Sequence, residues 1–293
     1  GLGAGIGIGY ATSKATEAVA RQPEADGNIS KLLLLGSALA EATAIYGFVV
    51  GLLIILLLKD SSATPGIAVG AGVAVLTGVG AGVGIGIATA KACESVARAP
   101  EADGKISKLL LLGSALAEAT AIYGFVVGLL IILLLPDNAE LGKGLVSYTG
   151  IGAGLAVLGG LGAGVGIGIA TSKACEAVSH QPEADGKISK LLLLGSALAE
   201  ATAIYGFVVG LLIILLLPGN SDPTIAMGAG IAVLTGLGAG AGIGVATSKA
   251  SQSVARQPEA DGKISKLLLL GSALAEATAI YGFVVGLLVI LLF

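Results

Sequence analysis

A seventeen-residue string, SALAEATAIYGFVVGLL, occurs four times in this chain of 293 residues. Repetition on that scale constrains a fold more than any local propensity does. Its glutamate falls at Glu41, Glu118, Glu200 and Glu276, at spacings of 77, 82 and 76 residues, which gives each unit room for two membrane helices, a short loop and a linker. The expectation is an all-α membrane protein with eight transmembrane helices as four tandem hairpins, over residues 1–58, 66–135, 146–217 and 224–293. Unit one is shorter at its front. Gly1 aligns with Gly78, so either the start is truncated or the first span is incomplete. No basic leader with a cleavage site precedes the first apolar run, and targeting is expected to reside in the spans.

Side chains that are 55% hydrophobic, a mean hydropathy of +0.97 and only 12% charged residues exclude an ordinary soluble domain. In the second half of unit one, residues 32–58 hold no charge except Glu41, a run of 27 residues or about 40 Å of helix. That is enough to cross a hydrocarbon core of about 30 Å. The first helices are Gly/Ala/Val/Ile runs such as GVGAGVGIGIA, with glycines four apart at Gly80 and Gly84 and at Gly82 and Gly86. In lipid, where the backbone must satisfy itself, such small-xxx-small faces let helices approach closely. A nucleotide-binding reading of the glycines fails, because no Lys-Ser/Thr follows and no strand precedes. With no basic cluster and a net charge of -3, nucleic acid is an unexpected partner.

Between the two helices of each unit lies a polar turn: RQPEADGNISK at residues 21–31, RAPEADGKISK at 98–108, HQPEADGKISK at 180–190 and RQPEADGKISK at 256–266. Proline followed by Asp-Gly is turn chemistry. Fourteen Lys and Arg residues flank these turns and two, Lys59 and Lys143, fall in the linkers near residues 59–65, 136–143 and 218–223. The positive-inside rule therefore predicts the RQP turns on the cytoplasmic side and the linkers opposite. His180 stands where the other turns have arginine, and a solvated loop position explains it better than a switch. Cys93 and Cys175 share their repeat position with Thr16 and Ser251 and have no metal-ligand spacing, so they read as small packing residues rather than a disulfide or metal site.

A lone carboxylate inside an apolar helix costs several kcal/mol if charged, and is by default a functional site. The alternative is a protonated glutamate that merely bonds a neighbouring helix. Facing lipid, a carboxyl favours its neutral form; near a cation or water it favours the charged one. A rotary ion carrier needs that reversal. Thr43, Thr120, Thr202 and Thr278 lie two residues after each acid, and Tyr46, Tyr123, Tyr205 and Tyr281 five after. Their hydroxyls are candidates to lock a neutral carboxyl or hold a water, or simply to pack at a helix interface.

The Gly-rich first helix, the Arg-Gln-Pro loop and the A-E-x-x-x-I-Y second helix, in that order in every unit, resemble the rotor-ring proteolipid (the c subunit) of rotary ATP synthases over essentially the whole chain. The resemblance implies part of a rotor ring with the glycine helices as its inner wall and the four glutamates as proton carriers. It further implies a stator subunit whose arginine keeps the passing site deprotonated, central-stalk subunits touching the loops, and surrounding membrane lipids. The stalk contacts would be Arg21, Gln22, Pro23, Arg98, Pro100, Gln181, Pro182, Arg256, Gln257 and Pro258; Ala99 and His180 depart from the family's loop pattern. Sodium-type members present a Gln on the first helix and a Ser after the glutamate, where this chain has Ile8, Ile85, Ile167 and Ile243, and Ala42, Ala119, Ala201 and Ala277. Stripping sodium of water demands replacement oxygens, so protons are the expected cargo. No cofactor, resident metal or nucleotide site is implied, and the chain is not expected to be catalytic alone.

Fused multi-hairpin relatives include vacuolar-type rotors in which one carboxylate of a pair is lost, whereas all four acids persist here. That retention suits synthesis; an ATP-driven pump rotor, a sodium carrier and an inert membrane scaffold are the alternatives. Parallel repeats oppose a substrate transporter with inverted repeats. Second helices nearly identical beside diverged first helices point to an engineered fusion or a recent duplication. Four hairpins are too few to close a ring at the family's curvature, so a homo-oligomeric ring with hairpins in a multiple of four is expected.

Overall fold

The computed structural model describes residues 1–58, 64–136, 143–218, 222 and 224–293. The all-helical expectation holds over these residues. Hairpin-like units follow one another as α1 (Leu2–Arg21) and α2 (Asp26–Leu57); α3 (Thr64–Ala74), α4 (Thr77–Arg98) and α5 (Asp103–Leu134); α6 (Lys143–Ala156), α7 (Gly159–His180) and α8 (Asp185–Leu216); and α9 (Thr224–Ala232), α10 (Thr235–Arg256) and α11 (Asp261–Leu292). Lys59 and most of the linker residues lie outside the described residues, Pro65 sits in α3, and Lys143 opens α6.

Two rows result. The glycine helices α1, α4, α7 and α10 pack side by side in chain order, and α2, α5, α8 and α11 form a second row over them. The first three second-row helices also lean on the glycine helix of the following unit, α2 on α4, α5 on α7 and α8 on α10. Glycine makes the inner row this tight: a Cβ at Gly86, Gly168 or Gly244 would strike the backbone of Gly7, Gly84 or Gly166. With lipid as solvent no hydrophobic force drives helices together, and such backbone contact supplies the packing energy.

The RQP turns are tighter than the sequence implies. Gln22 ends α1, Pro23–Ala25 makes a single 3-10 turn, and Asp26 already begins α2. Proline suits the first position of that turn because its missing N–H has no partner to lose. The Asp-Gly pair expected in the turn belongs to the helix, where Asp26 complements the positive end of the dipole. Each second-row helix has 32 residues, about 48 Å. Its first two turns, from Asp26 to Lys31 in unit one, therefore extend as a polar collar beyond the apolar run.

Two features go beyond the expected hairpins. The first helices of units two to four are interrupted: Leu76 N–H donates to Val73 O, Gly78 to Val75 O and Val79 to Leu76 O, a stretch of i to i−3 bonds repeated near Leu158 and Leu234. This tight turn displaces the last carbonyls of α3, α6 and α9 toward their own second-row helices. Glycine receives them there, since a Cβ at Gly124, Gly206 or Gly282 would meet Ala74, Ala156 or Ala232 O. Among the described residues, seven segments are long and apolar enough to cross a membrane. Helix α1 is not among them. It has 20 residues, and Lys14, Glu17 and Arg21 occupy its second half.

Cys93 and Cys175 are free thiols buried in the glycine row, at 0% exposure. A membrane-permeant maleimide is expected to leave both unmodified in the native protein and to label both after denaturation; native labelling would mean that the row opens.

Candidate functional site: an acid and a phenol shared between hairpins

The four glutamates project from the second row at one level. Beneath them Ala40, Ala117 and Ala199 pack with Ile85, Ile167 and Ile243 in a small apolar cluster, with Ile8 at its edge. Ile85, Ile167 and Ile243 are 0% exposed and Ile8 is half-buried.

Each tyrosine bonds the acid of the next unit, not its own. Tyr46 Oη donates to Glu118 Oε1, Tyr123 to Glu200 and Tyr205 to Glu276, each at 2.6 Å. The same phenol rings face the next unit's phenylalanine, with Tyr46–Phe125 centroids 5.1 Å apart, Tyr123–Phe207 5.3 Å and Tyr205–Phe283 5.1 Å. Aromatic contact of this kind fixes the ring, and the hydroxyl is thereby pre-aimed. Among the described residues Glu41 receives no such bond, and it is exposed, as is Tyr281 at the other end, at 68%.

The threonines turn the other way. Thr43, Thr120, Thr202 and Thr278 donate to the carbonyls of Ala40, Ala117, Ala199 and Ala275 at 2.7–2.8 Å. Thr43 and Thr202 press against the glycine helix of the next unit, where a Cβ at Gly82 would come within 3.0 Å of Thr43 Oγ1. The structure thus brings acid and tyrosine together and places threonine in the helix interface.

The turn residues gather at one end of the rows. Arg21, Arg98 and Arg256 are exposed, while Gln22, Pro100, Gln181, Pro182 and Pro258 are half-buried and Pro23 and Gln257 exposed. Arg98 contacts His180 Nε2 of the next unit at 2.8 Å. Sequence reasoning missed a polar belt just inside this end. Lys14 pairs with Glu17 at 2.9 Å and reaches Glu94 at 3.8 Å; Lys91 pairs with Glu94 and reaches Glu176 at 3.8 Å. Lys173 pairs with Glu176, and in unit four Gln252 replaces the acid and donates to Glu176. The repeated K-x-x-E spacing in the glycine helices was the available signal.

Rows of apolar hairpins, each with a single acid inside its long helix, define an integral multi-pass membrane protein. The chain belongs to the ATP synthase c-subunit family: that family's model matches residues 1–54, 69–131, 151–213 and 227–289, four tandem copies in one chain. Among relatives, the ATP synthase c subunit of Caldanaerobacter subterraneus subsp. tengcongensis is 67% identical over 68 residues, 23% of this chain and 93% of the relative. The corresponding protein of Ruminiclostridium cellulolyticum is 67% identical over 57 residues, 20% of this chain and 75% of the relative. That of Clostridium novyi is 58% identical over 65 residues, 22% of this chain and 77% of the relative.

Proposed function

We propose that this chain is a proton-carrying rotor component of an ATP synthase, with Glu41, Glu118, Glu200 and Glu276 as the carriers. The observation that carries the reading is the phenol held 2.6 Å from three of the four intramembrane carboxyls. A protonated carboxyl that accepts from tyrosine is neutral and partly satisfied, so it crosses the lipid-facing part of a rotation at low cost. Opposite a stator arginine the same group ionises and releases its proton. No group in the chain itself catalyses ATP chemistry in this scheme.

The shell favours the proton over sodium. Three of the four acids have one phenol oxygen at 2.6 Å, and the hydroxyl hydrogen of the nearby threonine is committed to a backbone carbonyl in every unit. A dehydrated sodium ion needs several oxygens. The RQP turns, with most of the chain's cations, are placed in the cytoplasm against the central stalk, and the linkers opposite.

Labelling with a hydrophobic carbodiimide, read site by site by mass spectrometry over a pH series with and without sodium, tests this. Modification at the four glutamates is expected to fade as pH rises and to ignore sodium. Protection by sodium would reassign the ion, and no modification at any glutamate would leave a membrane scaffold without transport.

A further inference from the structure

Three hydroxyls are out of step with the rest of the spans. Ser114, Ser196 and Ser272 are each 1% exposed, and among the described residues their Oγ atoms have no hydrogen-bond partner. A membrane helix commonly settles a serine or threonine on a carbonyl of its own preceding turn. Thr89, Thr171 and Thr247 in the glycine row do so at 2.8 Å, as do the threonines after each acid. A fourth such hydroxyl, Ser95, gives way to Ala18 and Ala177 in units one and three. The other three share one repeat position, four residues before Glu118, Glu200 and Glu276.

Residues four apart share a helix face, with Cβ atoms about 6 Å from each other. That face is known here, because Glu118 takes its bond from Tyr46 and Phe125 lies against the same ring. Ser114, Glu118 and Phe125 therefore form one stripe against α2. Ser196, Glu200 and Phe207 repeat it against α5, and Ser272, Glu276 and Phe283 against α8. In unit one, which has no preceding helix, Ser37 is half-buried and Phe48 is 69% exposed.

The seam is closed toward the turns. Lys31 reaches Asp103 at 2.9 Å, Lys105 and Lys187 donate to the carbonyls of Pro182 and Pro258 at 2.9 and 3.0 Å, and Ser107 donates to Asp103 at 3.2 Å. Between Ser107 and Ser114 the stripe carries Leu110, and Leu192 holds the same place in unit three, both 0% exposed. A leucine thus separates each buried serine from the polar collar, so the hydroxyls make no continuous line to the turn.

The carboxyl has a matching deficit. A neutral carboxyl presents one acceptor oxygen and one O–H donor. Tyr46 occupies Oε1 of Glu118, and among the described residues nothing bonds Oε2. A donor in need of an acceptor and a buried hydroxyl in need of a partner stand one helical turn apart, a gap that a single water spans. Beside it the helix carries only small side chains, Gly113, Ala115 and Ala117. Two polar partners meet the minimum for a buried water.

We propose that Ser114, Ser196 and Ser272 each hold one water that accepts the O–H of the neutral acid four residues on. The inference rests on the carrier reading above for why the acid is neutral; the hydration site itself rests on the buried serines. Tyrosine and water then satisfy the two carboxyl oxygens separately, and the serine acts through the water as a positioning residue.

The test is infrared spectroscopy of the whole chain in lipid, with Glu41, Glu200 and Glu276 replaced by glutamine. The Glu118 carboxyl stretch is the band that Glu118→Gln removes. Ser114→Ala is expected to move it to higher wavenumber, as Tyr46→Phe does from the other oxygen, while Ser196→Ala leaves it in place. In the chain with all four acids, a buried-water O–H stretch that shifts in water enriched in oxygen-18 is expected, and it should vanish when the three serines become alanine together. Thermal melting gives an independent reading. A dry, unpaired hydroxyl is a penalty that alanine removes, so a triple variant that melts above the parent overturns the proposal, and one that melts at or below it agrees with hydration. A Glu118 band that ignores Ser114→Ala but follows Tyr46→Phe also overturns it and leaves the carrier reading standing. A band that moves without any isotope-sensitive water means a direct serine–acid bond and overturns it as well. If Glu118→Gln removes no band, the carrier reading falls, and the water stretch alone decides whether the serines are hydrated.

Discussion

Replacing Glu118 by glutamine, with the other three acids intact, is expected to stop transport in the reconstituted synthase. On the proposed rotor reading every carrier passes a stator in turn, and a carboxamide has no proton to release and no charge to present to an arginine. The block is not one part in four, because rotation is serial and each copy of the chain brings its own dead stop. ATP-driven acidification of proteoliposomes should fall at least about 100-fold, the loss produced by some 2.7 kcal/mol on the slowest step. Glu118→Asp, which keeps a carboxyl but withdraws it from the Tyr46 hydroxyl, should retain measurable transport. Near-parental pumping by Glu118→Gln would mean that the acid bonded at 2.6 Å by Tyr46 is structural.

The second large effect separates packing inside the chain from packing between chains. Gly86→Val drives a branched side chain into the backbone of Gly7. Backbone cannot rotate away as a side chain does, so the cost should reach or exceed the roughly 3 kcal/mol upper range of ordinary overpacking. Loss of the folded chain in mild detergent, measured by thermal melting, is expected. Gly242→Val puts the same side chain into open space, so the isolated chain should melt as the parent does while larger assemblies disappear from native gels. Equal melting of Gly86→Val and parent would rule out the tight inner row.

The hairpins and their acids were legible because a charge in an apolar run and a fourfold repeat are signals that survive without geometry. The partner of each acid was harder to see. Tyr46 follows Glu41 by five residues, which on a helix of 3.6 residues per turn places it about 140° around the axis; a phenol there turns toward a neighbour. Thr43, two residues on, stands about 160° away and so presses against α4. The sequence distance from Tyr46 to Glu118, 72 residues, hid the real pairing. The break between α3 and α4 was illegible for another reason: Val75, Leu76 and Thr77 are ordinary membrane-helix residues, and the receiving space is provided by Gly124, far along the chain.

The belt of Lys-x-x-Glu pairs loses its acid at Gln252, and Asn28 stands where Lys105, Lys187 and Lys263 stand in the other units. The junction of units two and three has both the crossing Lys–Glu pair of the belt and the lysine bond to a proline carbonyl; its neighbours on either side each have one of the two. In a rotor of identical single hairpins every resting position is equal by symmetry. Linking four unequal hairpins breaks that degeneracy, so the energy profile against angle takes a four-beat rhythm, and a single-molecule trace should show dwell times that recur with the period of the chain.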